Sequence, residues 1–317
     1  MSPAEAPLLY IGGWGRSGST LLECLLAELD DVVVLGEVVH LWERGLRHNE
    51  RCACGQPFHA CPFWSEVGER AFGGWSRVDP DRLAWLRHEV DRQRRIPQTG
   101  RLRPTPRTVA LTQEYADHYR RIYDAARTIT GATIVVDSSK EIPTALALSH
   151  DPVIDLRVLH IVRDSRGVAY SWSKTVTRPE STTAEPMQRY GPATSTAFWL
   201  SGNLTVKALA HRGVPLVRMR YEDLVDAPQD SVASAWRALG LPGAPRLPML
   251  DEHTVDLHPT HSVAGNPMRF RTGRTTLAAD TSWRESLPVR DRRLVTAMSY
   301  PVLRKWGYLD ARTKEPA

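Results

Sequence analysis

Leu8-Leu9-Tyr10-Ile11-Gly12-Gly13-Trp14-Gly15-Arg16-Ser17-Gly18-Ser19-Thr20 runs from a short apolar strand pattern through a glycine-rich turn. It opens a helical pattern carried by Leu21, Leu22, Cys24, Leu25, Leu26 and Leu29. In this context the backbone N–H groups of the turn and of the helix N-terminus form a concave anion site. In the triphosphate-binding version, GxxxxGK[ST], the lysine reaches the β- and γ-phosphates and the hydroxyl holds magnesium. Here Ser19 stands where that lysine would be, and Thr20 is retained. Gly15, Arg16, Ser17, Gly18, Ser19 and Thr20 can therefore cradle phosphate, but the cation for a triphosphate is missing. A nucleotide with a compact 5′ anion fits such a loop better.

The rest of the chain alternates strand and helix. Near-continuous apolar runs predict strands at Leu8–Gly12, Val32–Leu35, Ala132–Val136, Leu156–Val162 and Pro215–Met219, as expected where both sheet faces are covered. Helices are expected over Ser19–Leu29, Pro80–Arg95, Thr108–Thr130, Ser165–Trp172, Thr194–His211, Ser231–Leu239 and Val289–Trp306. Gly131, Gly213 and Gly240 follow three of these as C-cap signals. The alternation argues for an α/β fold, a P-loop-like parallel β-sheet flanked by helices, in a single domain over 1–317. Residues 45–107 interrupt it and read as an inserted loop-helical region on the sheet edge, on the acceptor side and without a core of its own.

With 317 residues and a net charge of +5, the composition is that of an ordinary globular protein. Lysine occurs only at Lys140, Lys174, Lys207, Lys305 and Lys314, so the position of Lys140 is informative. A pI near 9.1 suits an anionic ligand. The arginines are dispersed and no nucleic-acid-binding module is visible, so nucleic acid is not expected as a partner. No stretch approaches the about 18 apolar residues of a membrane helix, and no secretory leader pattern is visible, which makes the cytoplasm the expected compartment. Cys52, Cys54, Cys61 and His59 offer four zinc ligands, although Cys-x-Cys is tighter than usual zinc spacing. A Cys54–Cys61 or Cys52–Cys61 disulfide and a set of reduced thiols are the other readings; a reducing compartment favours the thiols, and no metal is expected.

Two further segments lie where ligands bind open α/β sheets, past the C-terminal ends of strands, and a third is a loop later in the chain. In Leu159-His160-Ile161-Val162-Arg163-Asp164-Ser165, a strand delivers Arg163 and the next helix carries Ser171, a pair suited to a phosphate ester. Arg220-Tyr221-Glu222-Asp223-Leu224 follows the strand at 215–219. Residues 262–273, with Gly265-Asn266-Pro267-Met268-Arg269-Phe270-Arg271, have the composition of a flap over an anion.

In this order the four motifs resemble those of the PAPS-dependent sulfotransferases, PAPS being 3′-phosphoadenosine 5′-phosphosulfate. The chain is similar to the bacterial branch and to the carbohydrate and tyrosylprotein types. The resemblance runs from Leu8 to about Gly273. It implies that residues 15–20 take the 5′-phosphosulfate, that Arg163 and Ser171 take the 3′-phosphate, that Tyr221 lies on the adenine side, and that Arg269 and Arg271 cover the nucleotide. PAPS as co-substrate needs no γ-phosphate lysine and no metal. Glu37, after Gly36, resembles the glutamate base of this group, and Lys140 the lysine that stabilises the leaving oxygen, with Arg16 sharing the cationic role. The histidine-base motif of the aryl and steroid branch has no equivalent, and neither His40 nor His160 replaces it. The implied reaction transfers a sulfuryl group to a hydroxyl, less readily an amine, of a small-molecule, carbohydrate or glycolipid acceptor. The competing readings are a P-loop kinase or NTPase, with Ile134-Val135-Val136-Asp137 as the magnesium-binding strand, and a nucleotide-binding protein without catalysis. Oligomeric state and acceptor identity are open at this stage.

Overall fold

The computed structural model describes residues 6–176 and 188–309. Of the stretch Lys174–Tyr190, residues 177–187 lie outside the described residues.

Five parallel strands form the sheet in the order β2-β3-β1-β4-β5. They are β1 (Leu8–Gly13), β2 (Val32–Val34), β3 (Ile134–Lys140), β4 (Leu156–Val162) and β5 (Leu216–Arg220). β1 lies between β3 and β4, so the chain's direction of travel across the sheet reverses at β1. That reversal opens a crevice at the C-terminal strand ends, where ligands bind in open α/β sheets. All five expected strands form, with ends shifted by a few residues. The largest shift is in β3, which continues through Asp137-Ser138-Ser139 to Lys140 because β1 pairs along it as far as Gly12↔Lys140.

Alternate residues of each strand feed two apolar layers. Leu9, Ile11, Val34, Val136, Leu159 and Ile161 pack with α1 (Ser19–Leu26) on one face. Leu8, Tyr10, Leu35, Val135 and Val158 pack on the other face, against a layer that includes Tyr115, Tyr119 and Tyr123. The inserted region forms α2 (Pro62–Phe72), α3 (Pro80–Val90) and the short α4 (Ile96–Thr99). It packs on the long α5 (Pro106–Thr130), and its Phe58, Trp64, Leu83 and Leu86 join the same apolar layer. The insertion thus lacks a separate core, as expected, but it lies over α5 on one sheet face rather than at the sheet edge.

The chain continues through α6 (Ile142–Leu148), α7 (Ser165–Ser173), α8 (Pro192–Leu204) and α9 (Lys207–His211). One long helix over Thr194–His211 is not formed. Bonds from Ala208 N to Thr205 O and from Leu209 N to Val206 O tighten the backbone between α8 and α9 and break the run. After β5 come α10 (Tyr221–Asp226), α11 (Pro228–Ala238), α12 (Trp283–Ser286) and α13 (Val289–Lys305). An antiparallel pair, β6 (Thr254–Leu257) and β7 (Gly273–Thr276), brackets residues 258–272 and holds them as a flap beside the crevice. Among the described residues no helix is long and apolar enough to cross a membrane.

Candidate active site

The crevice at the C-terminal strand ends is a cleft of about 890 Å³. Gly15, Arg16, Gly18, Ser19, Thr20, Glu37, Lys140, Arg163, Ser171, Tyr221 and Arg271 all line it. The sequence motifs therefore converge on one site. A larger cavity of about 1060 Å³ at the opposite strand ends contains none of these residues.

The turn between β1 and α1 has the backbone that an anion loop needs. Arg16 and Gly18 are left-handed, with φ of 69° and 92°, so successive N–H groups turn inward toward the N-terminus of α1. Trp172 Nε1 donates to Gly15 O at 3.2 Å, and the Arg16 guanidinium lies over the Trp172 ring at 5.0 Å. A Cβ on Gly18 would stand 2.4 Å from the Tyr221 ring. Gly18→Ala is therefore expected to cost about 1–3 kcal/mol in stability, from the left-handed backbone and the clash together. A lower melting temperature with weakened anion binding checks this. Ser17 differs from its neighbours: its side chain is buried, does not line the cleft, and its Oγ has no hydrogen-bond partner among the described residues.

Glu37 enters from the end of β2 through Gly36. A Cβ on Gly36, whose φ is 82°, would lie 2.8 Å from Ala264 O and from Val263 N, because the flap runs directly beside it. Glu37 N donates to Ala264 O at 3.1 Å, and Val263 N to Leu35 O at 3.0 Å. Lys140 Nζ donates to Glu37 Oε1, and His40 Nε2 lies 3.4 Å from Oε2. Burial pushes the Glu37 carboxyl up, but the Lys140 ammonium and His40 more than offset it. The carboxyl is held well below the usual carboxylate range, and so is ionised at neutral pH. Lys140 adopts a left-handed φ of 69°, uncommon for a residue with a side chain and frequent at functional sites.

On the other side of the loop, Arg163 leaves β4 with its guanidinium 4.7 Å from the Tyr221 ring centroid. It donates to Asp280 O at 2.8 Å and to Arg16 O at 3.4 Å, and pairs with Asp280 Oδ2 at 3.3 Å. Lys174 Nζ reaches the same oxygen at 3.4 Å. Burial raises the Asp280 carboxyl, but Ser282, Arg163 and Lys174 bring it down to about 2. The Asp280 carboxylate thus lies between the Arg163 and Lys174 cations.

Two sequence expectations need correction. Arg271 lines the cleft, but Arg269 does not. The turn Pro267–Phe270, capped by the Asn266 side chain accepting from Met268 N at 3.1 Å, carries Arg269 inward. Its guanidinium donates to Ser262 O at 2.8 Å and to Arg51 O at 3.0 Å, joining flap to insertion. His59 is not beside the cysteines. Its Nε2 lies 3.1 Å from Leu46 O, while His261 from the flap takes the place beside Cys52 and Cys61. None of the four cysteines is joined in a disulfide.

The kinase reading loses its metal ligand. Asp137 is fully buried, its Oδ2 accepts from Tyr123 OH at 2.6 Å, and its Oδ1 accepts from Ser139 N at 2.8 Å. That carboxylate serves α5 and its own strand, and it does not line the cleft. His160 is equally occupied, lowered to about 4 by burial and bonded to Asn203 Oδ1 at 2.8 Å.

Several cleft residues escaped the sequence reading. Trp14, Trp172 and Tyr190 form an aromatic wall with Phe198, with centroid separations of 4.8–6.0 Å. Trp14 and Trp172 adjoin motif residues Gly15 and Ser171, so aromatic character beside those motifs was the available signal. Arg87 and Arg92 reach the cleft from the inserted region, Arg44 from just before it, and Asp280 from the segment after β7. Arg92 heads an arginine-rich stretch that runs to Arg107, but no local spacing announces Arg44, Arg87 or Asp280, which tertiary packing brings there.

Beneath the site, Glu23 of α1 is buried and accepts from Ser138 Oγ at 2.5 Å and from Ser262 Oγ. Burial raises its carboxyl to about 6. The folded chain then binds this proton before the unfolded chain does, so this contribution to stability declines as pH rises through 4.5 to about 6. Relative to Glu23→Gln, the wild type is expected to lose about 2 kcal/mol between about pH 4.5 and about pH 7.5. Urea titrations of both proteins at the two pH values measure it.

The site and fold define an α/β protein with a glycine-rich, P-loop-like turn that lacks the triphosphate lysine and faces a buried carboxylate paired with a half-buried ammonium. The chain belongs to the sulfotransferase family, whose sequence model matches residues 7–245. It is similar to human carbohydrate sulfotransferase 3, with 26% identity over 179 residues, 52% of this chain and 36% of that protein. The rat carbohydrate sulfotransferase 3 is 24% identical over 172 residues, covering 51% of this chain and 35% of the relative. The matched region thus spans about a third of the curated relatives' length. Among solved structures, the sulfotransferase domain of the Synechococcus PCC 7002 olefin synthase aligns over 93% of this chain and 94% of its own, with TM-score 0.45 and 20% identity. A sulfotransferase domain from the curacin biosynthetic pathway aligns over 92% of this chain and 97% of its own, with TM-score 0.45 and 16% identity.

Proposed function

We propose that this chain transfers the sulfuryl group of PAPS to an acceptor hydroxyl and releases 3′,5′-bisphosphoadenosine. The observation that carries the reading is the pair of buried Glu37 and half-buried Lys140 facing a phosphate loop without its lysine. The donor supplies an activated sulfuryl group on a phosphate oxygen. The N–H groups of residues 15–20 and the Arg16 guanidinium hold its 5′ end, while Arg163 and Ser171 hold the 3′-phosphate in the pocket where Asp280 now lies. Arg271 closes over the nucleotide from the flap, and Arg269 supports the flap from behind.

In the reaction, the acceptor oxygen bonds to sulfur as the bond from sulfur to the 5′-phosphate oxygen breaks. Glu37 accepts the hydroxyl proton, and Lys140 and Arg16 face the negative charge gathering on the leaving phosphate. Lys140 therefore has two tasks. It keeps Glu37 ionised before the reaction and neutralises the leaving oxygen during it.

Lys140→Met is expected to move the acid limb of the kcat/KM profile up by about one unit or more, besides lowering the plateau. An acid limb at the wild-type pH would separate Lys140 from Glu37 in the mechanism. For the acceptor, Arg44 and Arg92 in the cleft lining suit a molecule that already carries acidic groups, whereas Arg87 is paired with Glu141 and Asp91. The human relative's name, a carbohydrate enzyme, supports a sugar hydroxyl. Incubation with sulfur-labelled PAPS and a panel of neutral and acidic saccharides tests both points. Label transfer to acidic members is the expected result, and donor binding without transfer to any hydroxyl would leave the non-catalytic reading.

A further inference from the structure

We propose that Cys52, Cys54, Cys61 and His261 form a structural zinc site that fastens the nucleotide-side flap to the inserted region. The four ligand atoms lie within 4.8 Å of one another, and they are the one such cluster found among the described residues. Cys54 Sγ and Cys61 Sγ are 3.7 Å apart, and His261 Nδ1 lies 3.3 Å from Cys61 Sγ and 3.7 Å from Cys52 Sγ. A tetrahedral zinc with ordinary Zn–S and Zn–N bonds sets its sulfurs about 3.8 Å apart and sulfur and nitrogen about 3.6 Å apart. These three separations are within about 0.3 Å of that tetrahedron, and the other pairs lie within 4.8 Å.

The surroundings favour a closed structural site. Cys52 and Cys61 are fully buried and Cys54 is half-buried. Phe63 stacks on the His261 ring at 4.8 Å, which orients the imidazole, and Trp64 Nε1 donates to His261 O at 2.8 Å, which holds the backbone beneath it. Cys52 and Cys54 flank a tight turn closed by Gly55 N donating to Cys52 O at 2.9 Å. Three thiols gathered in an apolar pocket satisfy one another poorly, whereas a divalent cation stabilises them as thiolates. The short Cys-x-Cys spacing works because the fourth ligand arrives from about 200 residues away, leaving His59 outside the set.

Such a site has a purpose in this fold. Ala53 N donates to Ser262 O at 3.0 Å, Arg269 bridges Ser262 O and Arg51 O, and Ala264 accepts from Glu37 N. A cation at His261 thus fixes the flap against the insertion three residues before the contact that holds Glu37. Binding is non-redox: zinc replaces the thiol protons, which go to solvent.

The test is elemental analysis of the full chain, produced without a histidine tag and in the presence of a reductant. About one zinc per chain is expected, with the four thiols of the denatured protein all titratable once a chelator is added. Cobalt substitution should give the intense visible bands of a tetrahedral thiolate site. His261→Ala and Cys54→Ser should lose the metal, while His59→Ala and Cys24→Ser keep it. A reduced, folded wild-type protein that takes up neither zinc nor cobalt would overturn the proposal, as would a count of two thiols, which means a disulfide. Metal retained by His261→Ala but lost from His59→Ala would overturn the ligand set. The wild-type measurement stands even where a cysteine variant fails to fold.

Discussion

Glu37→Gln is expected to lower kcat by about 10²–10⁴-fold while leaving the affinity for 3′,5′-bisphosphoadenosine within about twofold of wild type. Glutamine fills the same volume and can still bond to Lys140 and His40, so the cleft should keep its shape. It cannot take up the acceptor proton. The wild-type carboxyl is ionised throughout the neutral range because Lys140 and His40 outweigh its burial. Loss of turnover should therefore be uniform from about pH 6 to about pH 9, with no rescue at either end. A variant that turns over at the wild-type rate would remove Glu37 from the chemistry, and one that loses nucleotide binding would make it a structural residue.

Arg163→Ala has the largest expected effect on binding, a loss of about 2–4 kcal/mol in bisphosphate affinity. The guanidinium leaves β4 into a pocket where it is 9% exposed and already pairs with Asp280, so solvent screens it little. Arg163→Lys should recover part of the loss, since it keeps the charge and gives up the planar fork that grips a phosphate. Calorimetric titration of the two variants measures both effects, and circular dichroism confirms that the ring contact with Tyr221 is not needed for folding. Unchanged affinity in the alanine variant would take Arg163 out of the site.

The local half of this site was legible in the sequence. Apolar runs bounded by glycine placed the strands, and each motif sat at a strand's C-terminal end, so a parallel sheet had to bring Gly15–Thr20, Glu37, Lys140 and Arg163 together. What was not legible depends on contacts between segments far apart in the chain. His59 is seven positions from Cys52, and proximity in sequence favoured it as a ligand. The flap, folded back between β6 and β7, supplies His261 instead. Arg269 and Arg271 look equivalent in sequence, but the turn at Pro267–Phe270 sends one inward and one to the cleft. Asp280 shows no motif at all, and its role appears only where Arg163 and Lys174 meet it. The inserted region illustrates the same limit. Its helices join the core through α5, a placement that periodicity along 45–107 does not encode.

The most direct test of the central claim is a pair of calorimetric titrations of the purified chain, without added divalent cation, using 3′,5′-bisphosphoadenosine and ATP. The sulfotransferase reading predicts micromolar or tighter binding of the bisphosphate, on the order of 8 kcal/mol, and negligible binding of ATP. Binding of ATP that appears only with magnesium, with none for the bisphosphate, would contradict it.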